Sequence, residues 1–270
     1  MINILLVLIH NNDQQRLAYI KPKLRELCLL LKVEGYNAFI YEPDYRPEKA
    51  PSDVSTTLRQ QHLYQNLGKE WRKYRRVQNG NPISKYLDLV NEFSISNQRR
   101  LRTTRDMIVA RNHYLGWRQG VKSGADFVIT FEDDVLFKED SHSRISGLIR
   151  QANNGHWCFY ADLAGGLEER DLQIRNLLSE AKGSFMCKGY KHYKKPVTNT
   201  ACCYLINKQL SQEFVRIYGE NKDELKLLGA DWLMNALFLK INFTVNPCYC
   251  VHADPTVFVH GSMAGAYQAL

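Results

Sequence analysis

The 270-residue chain has no long apolar run. Nothing in it approaches the roughly 18 apolar residues that a membrane-spanning helix needs, so the expectation is a soluble, cytoplasmic protein. Its opening, MINILLVLIHNND, lacks both a basic region before the apolar stretch and a small-residue cleavage site after it. It therefore reads as a strand and not as a secretory signal. A disulfide framework is also missing. The seven cysteines are odd in number, and Cys28, Cys158, Cys202 and Cys203 sit inside apolar stretches, which suits reduced, buried thiols. CYCVH (248–252) puts Cys248, Cys250 and His252 on one strand face, but structural zinc usually draws its four ligands from pairs in tight turns, and no second Cys/His pair of that kind is visible. Internal repeats, low-complexity tracts and linkers are absent, and the expectation is a single domain. Acidic charge is in the minority: 36 Lys and Arg stand against 28 Asp and Glu, giving a net charge of +8. That balance points to an anionic partner, be it a nucleotide phosphate, nucleic acid, an acidic glycan or an anionic membrane surface.

What is present alternates between strand and helix. INILLVLI (2–9) reads as a buried strand, 16–35 as an amphipathic helix closed by Gly35, and NAFIYEP (37–43) as a second strand stopped by Pro43. A β-α-β opening implies a parallel pair with a crossover helix, the usual start of an open α/β sheet. Residues 44–100 are polar and carry few strand signals, which predicts a helical or irregular insertion. A long helix is expected over 99–124, then a strand over 126–131. Further strands are expected over 156–163, 201–206, near 242–251 and 256–260, with helices after 138–141, at 208–218 and at 230–239.

The strand DFVITF runs directly into Glu132, Asp133 and Asp134, and the chain then resumes with Val135, Leu136 and Phe137. Three adjacent acids repel one another, and burying them costs free energy unless a cation or a dense set of donors offsets it. Strand alternation puts Glu132 and Asp134 on one side and Asp133 on the other, a pattern that can relax where the strand opens into a loop. The triplet lies at the carboxyl end of a strand, where open α/β sheets bind ligands. Hard oxygen ligands of this kind suit Mn²⁺ or Mg²⁺, ions that keep positions for substrate phosphate oxygens. A solvated turn that caps the next helix is the plainer alternative.

FEDDVLF resembles the signature of the glycosyltransferases of the lipooligosaccharide-biosynthesis type (family 25) and, more broadly, the acidic motif of GT-A folds. Four further pieces follow in matching order. NHYLGW (112–117) resembles that family's S-H-x-x-x-W, with Asn112 where the family tends to have Ser. TNTACCYLINKQLSQEFV (198–215) resembles a T-x-x-Y-[LV]-I segment followed by a helix. GADWLM (229–234) resembles a later Asp-containing helix start, and DPTVFVHGS (254–262) resembles a P-x-x-F-x-H segment. The resemblance covers roughly 100–262 in pieces. It implies a GT-A, Rossmann-like open mixed sheet flanked by helices. It also implies an enzyme that moves a hexosyl or pentosyl group from a nucleoside-diphosphate sugar, a UDP-sugar above all, to a hydroxyl of a glycan acceptor in surface polysaccharide or glycoconjugate biosynthesis.

On that resemblance, a divalent ion neutralises charge on the departing diphosphate. Asp134, together with Glu132 or Asp133, would hold it, and His260 would supply a ligand from elsewhere in the chain, with His252 as the competing histidine. Asp231 is the candidate general base of an inverting transfer; the alternative is that it only caps its helix. His113 and Trp117, four residues apart on one helix face, either pack that helix on the sheet or let His113 hold the donor or brace the acidic loop. Arg105 and Arg111 are candidates to reach the diphosphate or the acids, with a solvated helix face as the equal alternative. His10, Asn11 and Asn12 stand where GT-A proteins bind base and ribose. ADLAGG (161–166) is a candidate lining for the sugar or acceptor pocket, because its glycines permit close backbone approach.

The rival enzyme class is a metal-dependent nuclease or nucleotidyltransferase. Its support is the interleaving of cations and aromatics in KEWRKYRR, RRLRTTR and KGYKHYKK. A pure binding module would leave the acidic strand end without a purpose. No nucleic-acid partner is expected. The same basic clusters could seat the protein peripherally on an anionic membrane face.

Overall fold

β1 (Asn3–Ile9) has no polar face: from Ile4 to Ile9 each residue is at most 1% exposed. Such a strand is stable only with a neighbour on each edge and a layer on each face. The computed structural model, which describes residues 1–45, 54–75, 104–153, 157–166, 177–179, 189–241 and 247–266, supplies all four. Ile4, Leu6 and Leu8 point into one core, and Leu5, Val7 and Ile9 into another. Each large apolar side chain buried this way contributes about 1.5–3 kcal/mol.

After β1 come α1 (Gln14–Val33) and β2 (Asn37–Tyr41), then α2 (Val54–Arg75), α3 (Thr104–Ser123), β3 (Phe127–Glu132), β4 (Val135–Phe137) and α4 (Ser141–Ala152). The chain continues through β5 (Cys158–Asp162), β6 (Leu178–Ser179), β7 (Tyr190–Tyr193), β8 (Cys203–Asn207), α5 (Lys208–Glu220), α6 (Lys222–Leu225), α7 (Ala230–Lys240), β9 (Cys248–Ala253) and β10 (Phe258–His260). Among the described residues, eight strands form one sheet in the order β2-β1-β3-β8-β5-β9-β7-β6, and β10 pairs with β4 in a separate ribbon. β1 is parallel to β2 and β3, β8 runs against β3 and β5, and β9 is parallel to β5. The expected α/β architecture, an open mixed sheet flanked by helices, is the one observed.

Local chemistry explains the boundaries. Asp13 caps α1 by accepting from the backbone N–H of Gln15 and Arg16. The chain leaves that helix through Gly35, whose φ of +90° suits a residue without Cβ. Gly116 and Gly120 lie one turn apart where α3 meets the sheet. A Cβ on Gly116 would stand 2.7 Å from Val7 Cγ1, and one on Gly120 would collide with Val128. These two glycines let α3 lie close over β1 and β3, which brings its buried face up to the strand ends.

The insertion expected over 44–100 is helical where it is described. α2 packs beside α7: Gln60 Nε2 donates to Leu227 O at 2.8 Å, and Gly229 N donates to the Tyr64 hydroxyl at 3.0 Å. The rest of that insertion, with residues 242–246, lies outside the described residues. The hairpin β6–β7 and the short β4 were not anticipated. They are brief and polar, or follow the acids directly, and carry no periodic signal of their own.

Candidate active site

The β1 and β3 registers run side by side to Ile9 and Glu132, so both carboxyl ends finish at the same level. Beyond them opens a cleft of about 240 Å³, lined among others by His10, Asn11, Arg16, Asp106, Glu132, Asp133, Asp134, Asp231 and Ser262. Five carboxylates face it, and Arg16 is the only Lys or Arg in its described lining.

The three consecutive acids do not keep strand alternation. The chain turns after Glu132 to enter β4, and each side chain finds its own partner. Asp134 goes toward the β10 end. Its Oδ2 accepts from the Ser262 hydroxyl at 2.5 Å and lies 3.2 Å from His260 Nε2, and its Oδ1 accepts from the Cys202 thiol at 3.4 Å. The pairing of Val135 with His260, and the Gly261 N–H on Asp134 O at 2.8 Å, fix this meeting through backbone. Burial pushes the Asp134 carboxyl up, but the bonds from His260 and Ser262 outweigh it and hold the group well below the usual carboxylate range. Burial lowers His260, and Asp134 with the charges of Glu132 and Asp231 raises it more, so the imidazole ends above its ordinary value. His260 Nδ1 is buried and has no hydrogen-bond partner among the described residues.

Glu132 points instead toward α3. Its Oε1 lies 3.1 Å from His113 Nε2, and a quarter of the side chain is exposed. Burial, then the neighbouring Asp134 and Asp231 charges, push its carboxyl well above the ordinary value. His113 is wholly buried, with Nδ1 2.7 Å from the Tyr204 hydroxyl, which also accepts from Trp117 Nε1 at 2.8 Å. It therefore meets the cleft through Glu132, not through a ligand, and the expectation that it touches the donor is corrected to a bracing role. Desolvation lowers the imidazole to about 3, so the ring is neutral and carries one proton. With Glu132 ionised, Tyr204 donates into the ring and the ring donates to Glu132; a proton placed on Glu132 reverses both bonds. The His113 resonances are expected to stay at neutral-imidazole positions from about pH 5 to pH 8, which NMR titration would check.

Asp133 was expected at the ion or the cofactor. Its Oδ1 accepts from Arg16 Nη1 at 3.2 Å and its Oδ2 from the Asn11 N–H at 3.0 Å, both side chains of the ion pair being 7% exposed. It ties the β3 end to the β1–α1 loop. Removing one member of a buried pair strands the other, so Arg16→Met is expected to lower stability by about 3 kcal/mol, read as a lower urea midpoint, with part of the loss recovered by adding Asp133→Leu.

The β1–α1 loop is held by its own bonds. His10 Nδ1 accepts from Asn12 N at 3.1 Å, so Nε2 carries the proton toward Glu42 Oε1 at 3.0 Å. Asn11 Oδ1 accepts from Asp13 N at 3.0 Å. Both His10 and Asn11 line the cleft. Asn12 does not: its φ is +69°, it is exposed, and its Oδ1 accepts from Gln14 Nε2 at 3.2 Å. Its place in the site is corrected to a turn residue.

Asp231 is exposed on the second residue of α7 and lines the cleft. The helix cap is Gly229, so the capping alternative for Asp231 does not hold. Its Oδ1 accepts from Ala201 N at 2.6 Å, which orients the carboxylate. Arg105 lies in the first turn of α3, with its side chain outside the described residues. Arg111 lines a different cavity with Arg118, Lys222 and Lys226. His252 Nε2 stands 2.8 Å from Val197 O and packs on Tyr193, away from the acids. Gly166 belongs to the His260 wall, since a Cβ there would lie 3.0 Å from His260 Nδ1.

Sequence reasoning missed Arg16, Asp106, Cys202 and Ser262. Ser262 was findable two residues after His260. Cys202 looked like an ordinary apolar-strand thiol, and the other two carried only helical spacing.

No protein-family model matches the chain, and no curated protein matches it. Among solved structures it is similar to a glycosyltransferase involved in the glycosylation of the major capsid of PBCV-1, at TM-score 0.43 and 11% identity, over 98% of this chain and 97% of that one. A likeness this loose carries neither a residue role nor an activity to this chain. No helix among the described residues is long and apolar enough to cross a membrane.

Proposed function

We propose that the chain is a single-domain, metal-dependent glycosyltransferase of GT-A type, resembling family 25. It would move a sugar from a nucleoside-diphosphate donor, a UDP-sugar first among them, to a hydroxyl of a glycan acceptor, with inversion. The observation that carries this reading is a cleft at the carboxyl ends of β1 and β3 faced by five carboxylates with Arg16 as their one described arginine. After burial, the Asp134 and Asp231 charges push the Glu132 carboxyl up, a repulsion that a bound cation would relieve.

The donor set fits one. A carboxylate and an imidazole that already face each other at 3.2 Å, with the imidazole's Nδ1 orphaned, suit Asp134 and His260 as ligands of Mn²⁺ or Mg²⁺. When bound, such an ion offsets the charge that grows on a departing diphosphate. The chain's own residues do the rest. Ser262 fixes the Asp134 carboxylate, and His113 fixes Glu132. The β1–α1 loop, with His10 and Asn11, borders the space for a nucleoside. Asp231 is held by Ala201 N at an angle set by backbone, and would take the proton of the acceptor hydroxyl as that oxygen attacks the anomeric carbon.

A second reading keeps some support: a cleft with this many carboxylates also suits metal-assisted phosphoryl transfer in a nuclease or nucleotidyltransferase. A panel of nucleotide sugars tested with and without Mn²⁺ separates the two. The transferase reading expects stabilisation or slow hydrolysis of one nucleoside-diphosphate sugar, dependent on the ion, with weak and steeply salt-sensitive polynucleotide binding. Cleavage of DNA or RNA, with no response to any nucleotide sugar, would contradict it. Peripheral seating at an anionic membrane face would draw on cations such as Arg118, Lys222 and Lys226, which line a cavity apart from the cleft.

A further inference from the structure

We propose that Cys202 is a third protein ligand of the ion, a sulfur beside the Asp134 oxygen and the His260 nitrogen, and that it biases the site away from Mg²⁺ toward softer divalent ions such as Co²⁺ and Zn²⁺. This rests on the metal-dependent reading above.

Three separate parts of the fold converge here. Asp134 comes from the β3–β4 turn, His260 from the end of β10, and Cys202 from the residue before β8. Their candidate ligand atoms all lie within 4.8 Å of one another. Cys202 is set by backbone: the Glu132 N–H donates to Cys202 O at 2.8 Å, extending the β3–β8 ladder by one rung. Its side chain, 1% exposed, packs in the core and meets the buried carboxylate of Asp134, where Sγ lies 3.4 Å from Oδ1. Around a tetrahedral ion with bonds of about 2.0–2.3 Å, neighbouring donors sit roughly 3.4–3.7 Å apart. The 3.4 Å from Cys202 Sγ to Asp134 Oδ1 and the 3.2 Å from His260 Nε2 to Asp134 Oδ2 run to different oxygens of the carboxylate, and each is close to that spacing for its own donor pair. The cleft is lined by Asp134 and Ser262, which opens the Asp134 side of this cluster to an ion.

Sulfur changes the selectivity. Mg²⁺ demands oxygen ligands and keeps its waters, whereas a thiolate strengthens binding of Co²⁺ and Zn²⁺. On coordination the S–H bond breaks, a metal–sulfur bond forms and the proton leaves to solvent, with no change of oxidation state.

The test is a Co²⁺ titration of the full chain followed by absorption, with Mn²⁺ binding measured separately by paramagnetic resonance. The expected result is a thiolate-to-Co²⁺ charge-transfer band that saturates at one equivalent and is lost in both Cys202→Ser and Cys202→Ala. Both variants should still bind Mn²⁺, with the ratio of Co²⁺ to Mg²⁺ affinity reduced about 10-fold or more. If the wild-type chain binds Co²⁺ and Mn²⁺ without that band, Cys202 is a packing residue, the inference is overturned and the metal-dependent reading stands. If the chain binds none of these ions with or without a nucleoside diphosphate, both fall. A wild-type spectrum without the band overturns the inference even if neither variant folds.

Discussion

Asp134→Ala is expected to abolish Mn²⁺-dependent binding of a nucleoside diphosphate and to lower sugar transfer by about 1,000-fold or more, roughly 4 kcal/mol of transition-state stabilisation. The size follows from the position. Asp134 is the acid that faces His260, and its neighbours Ser262 and Cys202 both turn donors toward it. The alanine variant also removes a clamp on the β4–β10 ribbon, so Asp134→Asn is the informative companion. The amide retains the shape and a Ser262 contact but gives up the negative charge. Isothermal titration with Mn²⁺ and nucleoside diphosphate should show near-complete loss of ion-dependent binding in both variants. Thermal unfolding without added metal should show the asparagine variant less stable than the wild type, because His260 loses its charged partner, but folded at the temperature of the titration. Ion-dependent binding that survives in Asp134→Asn would remove this carboxylate from the site.

Asp231→Asn should behave in the opposite manner. Donor binding and its dependence on Mn²⁺ are expected to stay within a few-fold of wild type, while transfer to the acceptor falls by about 100- to 10,000-fold, the range a positioned general base supplies. The asparagine carbonyl can still accept from Ala201 N, so the bond that orients this side chain is retained and the variant isolates proton transfer from positioning. Glu132→Gln is a useful contrast. Its carboxyl has a raised affinity for protons and is bonded to buried His113. Losing it should disturb the brace on α3, and so donor binding, along with turnover. Normal transfer by Asp231→Asn would assign the base elsewhere in the cleft.

The parts of this protein that could be read from sequence are those where one physical signal dominates. The opening strand was legible because Ile4 to Ile9 are apolar on both faces. The placement of the three acids at a strand end was legible because the apolar run DFVITF stops at Glu132. His260 stood out because DPTVF precedes it, and the pairing of Val135 with His260 brings that histidine to Asp134. Asp231 was placed correctly at a helix start, although the cap is two residues earlier.

What sequence could not supply was the partition of the acids. Whether Asp133 faces an ion or an arginine depends on Arg16, 117 positions away, and on a turn after Glu132 that breaks strand alternation. His113 and Trp117 were legible as one helix face, but not the Tyr204 hydroxyl that is hydrogen-bonded to both. The same blindness hid Cys202, whose local sequence says only that it is buried; its approach to Asp134 is a product of β8 pairing with β3.

The most direct measurement is a crystal structure of the chain grown or soaked with Mn²⁺ and a nucleoside diphosphate, read through the anomalous signal of the ion. The account predicts one strong peak beside Asp134 and His260, with the nucleoside diphosphate seated in the cleft between the β1 and β3 ends. An occupied nucleotide with no ion at Asp134, or an ion bound on another face of the sheet, would contradict it.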